Sequence, residues 1–310
     1  MMTIETDDQP SPERLPDDRN WIGSTGLDRR KLLVSGAFAA GFAAACHPVS
    51  SSAVQTSGNG LKEEQVSIPA HDGFAMPAFC ARPAAAKNAP VICVVHEIFG
   101  VHEWIRDICR RFAKQGYHAV APDLFARHGD ATKIADFKQL IDTIVSRAPD
   151  DQVLSDIDAT YDWAGSHGGD ASRRGITGFC WGGRIVWLYA AHSAKLDAGV
   201  AFYGRLVNDK TALQPLRPID QAAALKAPVL GQYGALDKGI PVADVEAMRV
   251  ALKAADRSPP DDITLYPQAD HGFMADYRPS YNEAAATAAW SATLDWFGRY
   301  VKGGEASRGS

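Results

Sequence analysis

Two patterns of apolar and polar positions alternate along residues 61–303. Continuous apolar runs rich in β-branched residues, such as 90–95, are typical of strands buried on both faces of a parallel sheet. Between such runs, segments such as 103–115 carry an apolar residue every three or four positions, which predicts amphipathic helices. Strands that alternate with helices, without any repeated unit, predict an α/β fold with a doubly wound, mostly parallel sheet and helices on both faces.

The pattern also places the individual elements. A hairpin of two antiparallel strands at a sheet edge is expected around His71-Asp72-Gly73, a turn sequence of the Asp-Gly kind. A last helix is expected to open with a capping box of Ser280 and Glu283. The predicted strands are 65–69, 74–82, 90–95, 117–121, 174–177, 198–203, 228–233 and 263–266, and the predicted helices include 103–115, 132–147 and 151–166.

Residues 1–60 have a different composition. Residues 1–26 are polar and acidic and are predicted to be disordered, and 47–60 resemble a linker. Between them, the paired Arg29 and Arg30 precede the uncharged apolar run 34–45, which is the layout of a twin-arginine export signal. We therefore expect contact with the export machinery and a periplasmic location. An amphipathic cytosolic extension is the alternative.

Two further features bear on this signal. The apolar run is shorter than the roughly 20 residues that a permanent membrane span needs, so no such span is expected. Cys46 directly follows the small residues 43–45 and raises the possibility of a lipid anchor, although Ala43 stands where a lipidation motif usually has leucine. Residues 61–303 are expected to form one domain, followed by a disordered tail at 304–310.

The composition of the chain argues against several classes of protein. A chain of 310 residues with 46% hydrophobic residues can bury one large core, and a net charge of -5 indicates no surface for nucleic acid. The five cysteines are irregularly spaced, which argues against a disulfide scaffold, and no motif indicates a metal or an organic cofactor.

Candidate chemistry centres on Cys180. Gly178 and Gly182 lie two positions before and after it, the spacing of a nucleophile elbow, where a strand turns sharply into a helix. The amino end of that helix favours a negative charge on the sulfur. The alternative is a buried structural cysteine in a glycine-rich turn.

Two other residues follow the ends of later predicted strands. Asp237 could act as a helix cap and His271 could be a solvated loop residue, but the order Cys180, Asp237, His271 is the order of a nucleophile, acid and base in an α/β-hydrolase. A base regenerates the thiolate, and a carboxylate fixes the imidazole tautomer. We therefore expect an α/β-hydrolase fold with this triad.

Four motifs add a family resemblance. Residues 178–183, 96–100, 122–127 and 271–273 resemble the motifs of the dienelactone hydrolase family, also called carboxymethylenebutenolidases. The resemblance implies that Cys180, Asp237 and His271 form the triad and that Glu97 hydrogen-bonds the resting thiol. It also implies that the backbone amides of Ile98 and Trp181 form the oxyanion hole, as the general elbow geometry does.

The chain departs from the family pattern at two arginines that hold a substrate carboxylate. One is replaced by Ala275, with Arg278 nearby, and the other has only Arg147 as a candidate beyond Arg127. This predicts a preference for neutral esters or lactones, with Trp181, Tyr203 and Phe273 as apolar walls of the pocket or as ordinary core residues. The expected activity is thiol-dependent hydrolysis of a small ester or lactone through an acyl-cysteine. A thioesterase, a peptidase and a non-catalytic binding protein are the alternatives.

Overall fold

The computed structural model describes residues 55–303, which contain one eight-stranded sheet in the order β1-β2-β4-β3-β5-β6-β7-β8. The strands are β1 Leu61–Pro69, β2 Ala75–Pro83, β3 Ala89–Val95, β4 His118–Pro122, β5 Gly169–Phe179, β6 Ala198–Phe202, β7 Val229–Gly234 and β8 Asp262–Tyr266. The helices are α1 Glu103–Lys114, α2 Phe137–Thr143, α3 Asp150–Ser166, α4 Trp181–His192, α5 Val242–Ala255 and α6 Glu283–Tyr300.

The sheet is mostly parallel. β1 and β2 form an antiparallel hairpin at one edge, and β2 joins β4 in antiparallel register. All later pairs, from β4 with β3 to β7 with β8, are parallel. This confirms the predicted edge hairpin and the α/β-hydrolase fold. In such a sheet the carboxyl ends of the parallel strands share one edge, which is where ligands bind in open α/β folds.

The core lies on both faces of the sheet. Every residue of β3, β4, β6 and β7 is buried, as expected for strands covered by helices on either side. The predicted stripe of α1 faces inward, because Trp104, Ile108 and Phe112 are completely buried. Phe112 also contacts Trp290 and Phe297 of α6, so the first and last helices of the domain share one packed layer.

Several boundaries differ from those predicted. The helix expected at 132–147 is only α2, flanked by the short 3-10 turns Ala131–Lys133 and Val145–Arg147. The reason is local capping, since Asp130 accepts from the amide of Thr132 and Asp136 accepts from the amide of Gln139. Because helical turns begin at two places only six residues apart, the segment does not form one continuous helix.

The predicted capping box of the last helix is wrong. α6 begins at Glu283, and its cap is Asn282, whose side chain accepts a hydrogen bond of 3.0 Å from the amide of Ala285. Asparagine is as good a cap as serine, and it lies directly before the first helical residue, whereas Ser280 lies two positions earlier.

The predicted export signal, the linker up to residue 54, Cys46 and the tail at 304–310 lie outside the described residues. Among the helices that the structure does describe, none is long and apolar enough to cross a membrane.

Candidate active site

Cys180 occupies a strained turn between β5 and α4. Its backbone has φ 55° and ψ -113°, a conformation that residues other than glycine rarely adopt. The turn is possible because its neighbours are small: a Cβ on Gly178 would collide with the backbone of Gly182, and a Cβ on Gly182 would collide with the carbonyl of Val95. Cys180 is buried and lies at the amino end of α4, with the geometry of a nucleophile elbow.

Asp237 and His271 meet at the same edge of the sheet. Asp237 follows β7 and His271 follows β8, and His271 Nδ1 lies 2.7 Å from Asp237 Oδ2. The other carboxylate oxygen of Asp237 accepts from the amides of Gly239 and Ile240 at 2.7 and 3.1 Å. Asp237 thus stiffens its own loop with one oxygen and orients the imidazole with the other. Helix α5 starts only at Val242, so Asp237 is not its cap.

The imidazole of His271 also interacts with Cys180. Burial disfavours its charge, but the charges of Cys180 and Asp237 and the hydrogen bonds to both side chains outweigh burial and raise the pKa of His271 to about 10. Because Nδ1 is bound to Asp237, Nε2 is the nitrogen that can exchange a proton with the sulfur or with a substrate. The structure therefore brings together all three residues of the predicted triad.

Glu97, in the loop just after β3, lies in a buried cluster of polar side chains. The Tyr277 hydroxyl and Arg278 Nη2 each donate to its carboxylate at 2.7 Å, and His102 Nε2 lies 3.3 Å away. Burial alone would raise the pKa of Glu97, but the charge of Arg278 and the bonds to His102 and Tyr277 lower it to about 2. Glu97 is an anion at every working pH.

The hydrogen-bond partners of Glu97 differ from the one that the family resemblance implies. Within residues 55–303, the carboxylate is hydrogen-bonded to Tyr277 and Arg278 and not to the thiol of Cys180. A guanidinium forms a charge-assisted hydrogen bond with a carboxylate, which is stronger than the bond that a thiol offers.

The other predicted site residues line the same region. Ile98 and Trp181 are buried, and they directly follow Glu97 and Cys180 in the chain. Because Trp181 is the first residue of α4, its amide has no acceptor within the helix. Tyr203 is completely buried at φ 37°, and its ring contacts His271 at 5.1 Å between centroids. Phe273 packs behind Tyr203 at 5.5 Å. Tyr203 therefore borders the triad, while Phe273 supports Tyr203.

Three contributors to the site were not predicted from the sequence. Tyr277 and His102 bind Glu97, and Arg205 lies just after β6, with its guanidinium within electrostatic range of Cys180 and Asp237. The position of Arg205 after Tyr203-Gly204, at the carboxyl end of a central strand, was a usable signal. Arg278 is itself part of the site, whereas Arg147 is exposed and its charge acts on His128.

Known proteins share this sequence pattern. The sequence model described as "Dienelactone hydrolase family" matches residues 76–301, which include all the site residues above. The chain belongs to the dienelactone hydrolase family. It is a carboxylic-ester hydrolase of the dienelactone hydrolase type.

Individual relatives extend the likeness. A protein of Methylorubrum extorquens named "Putative carboxymethylenebutenolidase" is 50% identical over 286 residues, covering 92% of this chain and 97% of its own. A protein of the same name from Escherichia coli K12 is 50% identical over 261 residues, covering 84% of this chain and 95% of its own. A crystal structure of a "Putative Dienelactone Hydrolase" from Klebsiella pneumoniae is 52% identical, with a TM-score of 0.75, covering 77% of this chain and 99% of its own.

Proposed function

We propose that this hydrolase cleaves a small ester or lactone through an acyl-cysteine intermediate on Cys180. The observations that support the proposal are the 2.7 Å contact of His271 with Asp237 and the electrostatic interaction of His271 with Cys180, at one edge of the sheet. A nucleophile, a base and a carboxylate that orients the base are the parts that covalent acyl transfer needs. The names of the relatives agree with an ester or lactone as substrate.

Acylation begins at Cys180, with His271 as the base. Nε2 of His271 takes the proton of the thiol, and Asp237 stabilises the imidazolium that forms. The thiolate forms a C–S bond with the substrate carbonyl carbon, and the electron pair of the C=O double bond moves to the oxygen. When the tetrahedral intermediate collapses, the C–O bond to the leaving group breaks and His271 Nε2 gives that oxygen its proton.

Deacylation reverses these roles. His271 is now neutral and takes a proton from a water molecule, which attacks the thioester carbonyl. Collapse of the second intermediate breaks the C–S bond and releases the carboxylic acid, and the imidazolium returns its proton to the sulfur. Asp237 stabilises the imidazolium in both halves of the cycle through its 2.7 Å contact with Nδ1.

The oxyanion hole is proposed to consist of the amides of Ile98 and Trp181. The Ile98 amide donates to no backbone carbonyl in the loops and turns of residues 55–303, and the Trp181 amide is at the unsatisfied start of α4. Amides that are preset to receive a developing negative charge typically supply several kcal/mol of stabilisation in the transition state. Trp181 directly follows Cys180. Ile98 lies on the loop after β3, and the start of this loop packs against Gly182 of the elbow.

The proposal is tested by trapping the acyl-cysteine. Wild-type protein mixed with a p-nitrophenyl ester and quenched with acid should carry one acyl group on the peptide that contains Cys180, and Cys180→Ala should lose turnover by several orders of magnitude. Cys80→Ala, which removes another buried thiol, is the matched control and should retain activity. Substantial turnover by Cys180→Ala would overturn the assignment of the nucleophile.

The same assay separates the alternative activities. A panel of an alkyl ester, a lactone, a thioester and a peptide, compared by kcat/KM, reports which acyl donor is preferred. We expect the ester or the lactone to rank first. Preference for the thioester or the peptide would retain the mechanism but change the substrate class, and inactivity on the whole panel would favour a binding protein.

A further inference from the structure

His96 lies between the two parts of the proposed oxyanion hole. It is the last residue before Glu97, and its ring is completely buried. One face stacks on Trp181, with 5.5 Å between ring centroids and 15° between the planes. Phe125 packs against the same ring at 4.7 Å in an edge contact. The position of the ring is therefore fixed by aromatic neighbours.

Both ring nitrogens of His96 bind backbone groups. The amide of Leu124 donates to Nε2 at 3.1 Å, and Nδ1 lies 2.6 Å from the carbonyl oxygen of Glu97. Since Nε2 must offer a lone pair to an N–H donor, the proton of the neutral ring is on Nδ1 and is donated to Glu97. Burial lowers the pKa of His96 to about 4, so this neutral tautomer persists at neutral pH.

The carbonyl of Glu97 and the N–H of Ile98 belong to one planar peptide group. The oxygen accepts this short hydrogen bond from His96 and a longer one of 3.4 Å from the amide of Gly100. The shorter bond is the stronger constraint on the orientation of the group, and it polarises the N–H at its other end. We propose that His96 is a positioning residue for the oxyanion hole. It orients the Ile98 amide through the Glu97 carbonyl and supports the Trp181 amide through ring stacking.

This inference rests on the proposed function, because it takes Ile98 and Trp181 as the donors to the oxyanion. It assigns His96 no contact with the substrate. The histidine also ties the β3 loop to the segment after β4, since its second hydrogen bond comes from Leu124. A change at His96 should consequently affect how the hole is aligned rather than how the sulfur is activated.

Two reactions of Cys180 distinguish these effects. Ester hydrolysis passes through an oxyanion, whereas alkylation by iodoacetamide displaces iodide and needs only a nucleophilic sulfur. His96→Leu keeps an apolar volume but removes both hydrogen bonds, and His96→Gln keeps one donor and one acceptor. His118→Leu is the matched control, because His118 is also buried and its ring nitrogens have no hydrogen-bond partner among the described residues.

We expect His96→Leu to lower kcat by roughly 10- to 100-fold, somewhat less than the loss of a whole oxyanion donor. KM and the rate of alkylation should stay within about twofold, and His96→Gln should recover most of the loss. The affinity for an aldehyde that forms a thiohemiacetal with Cys180 should fall by the same factor as kcat, because this adduct mimics the tetrahedral intermediate. His118→Leu should resemble the wild type in all of these measurements.

The inference is overturned if His96→Leu has wild-type kcat and aldehyde affinity, or if alkylation slows as much as hydrolysis. Should His96→Leu fail to fold, His96→Gln compared with His96→Asn makes the same test, because the shorter amide cannot reach both Leu124 and Glu97. These outcomes are distinct from a failure of the proposed function, which would appear as turnover by Cys180→Ala.

Discussion

Arg278 Nη2 donates a 2.7 Å hydrogen bond to Oε1 of Glu97, although the two residues lie 181 positions apart in the chain. Their side chains are 1% and 0% exposed, so the ion pair is fully removed from water. Removing one partner of such a pair leaves an uncompensated buried charge. The pair also adjoins the catalytic region, because Glu97, Arg278 and Cys180 all act electrostatically on the hydroxyl of Tyr203.

Glu97→Gln should therefore alter both stability and the reactivity of the sulfur. We expect the free energy of unfolding to fall by on the order of 3 kcal/mol, because Arg278 remains buried without an anion. The profile of Cys180 alkylation against pH should change as well, because Glu97 and Cys180 both act electrostatically on Tyr203 and the balance of charge in this region is altered. Urea titration and iodoacetamide labelling measure the two effects.

The control for this variant is Glu103→Gln. Glu103 pairs with Arg110 at 2.6 Å, but its side chain is 41% exposed, so its loss should change stability by less than about 1 kcal/mol. If Glu97→Gln matches the wild type in stability, alkylation profile and kcat, Glu97 contributes nothing to the site beyond filling space.

Local sequence signals were sufficient for part of this site. Gly178 and Gly182 flank Cys180 at fixed short spacing, and Asp237 and His271 follow readable strands, so each could be found from its own neighbourhood. The partners of Glu97 could not, because Tyr277 and Arg278 come from a loop about 180 positions later in the chain. No periodicity encodes such a contact. The same holds for the cap of α6, where two suitable polar residues lay close together and geometry selected Asn282.

Acid stability should depend on His118. Burial lowers the pKa of His118 from an ordinary value of 6.5 to about 4, so the unfolded chain binds the proton at a higher pH than the folded chain does. Stability is therefore lost as the pH falls from about 6.5 to about 4, by on the order of 3 kcal/mol from this group. We expect His118→Leu to show a smaller loss of unfolding free energy between pH 7 and pH 4.5 than the wild type.

Urea titrations of both proteins at the two pH values make this comparison. Part of the acid loss should remain in His118→Leu, because burial also lowers the pKa of His96 to about 4. An unchanged difference between the two pH values in His118→Leu would show that the native chain accommodates a protonated His118.

We propose that the chain is exported through its paired arginines. Arg29 and Arg30 lie shortly before the apolar run 34–45, and export of a folded protein would let Cys180 mature as a thiol in a reducing compartment. Replacing both arginines with lysine should keep the precursor in the cytoplasm of a host that has the twin-arginine system. Arg14→Lys with Arg19→Lys, in the preceding polar segment, is the control with the same chemistry. Equal recovery of both variants from the periplasm would refute the signal.

Arg205 gives a second hypothesis for the charge of the substrate. With Ala275 in place of a family arginine, the sequence alone favours neutral esters. The guanidinium of Arg205 nevertheless lies within electrostatic range of Cys180 and Asp237. A cation at this position can form a charge-assisted hydrogen bond with a carboxylate on the substrate. Because Arg205 is exposed, solvent screens the interaction, and it contributes at most about 1 kcal/mol, or roughly fivefold in rate.

On this second hypothesis, the wild type prefers a dienelactone that carries a free carboxylate over its methyl ester, and Arg205→Gln loses up to roughly fivefold in kcat/KM on the carboxylate alone. The methyl ester isolates the charge effect, because it retains the lactone but has no anion for Arg205 to bind. Arg147→Gln, at an exposed arginine whose charge acts on His128, should leave the ratio of the two substrates unchanged. If Arg205→Gln lowers kcat/KM equally for both substrates, Arg205 acts on the triad and not on the substrate. If instead the wild type prefers the methyl ester, the expectation drawn from Ala275 was correct.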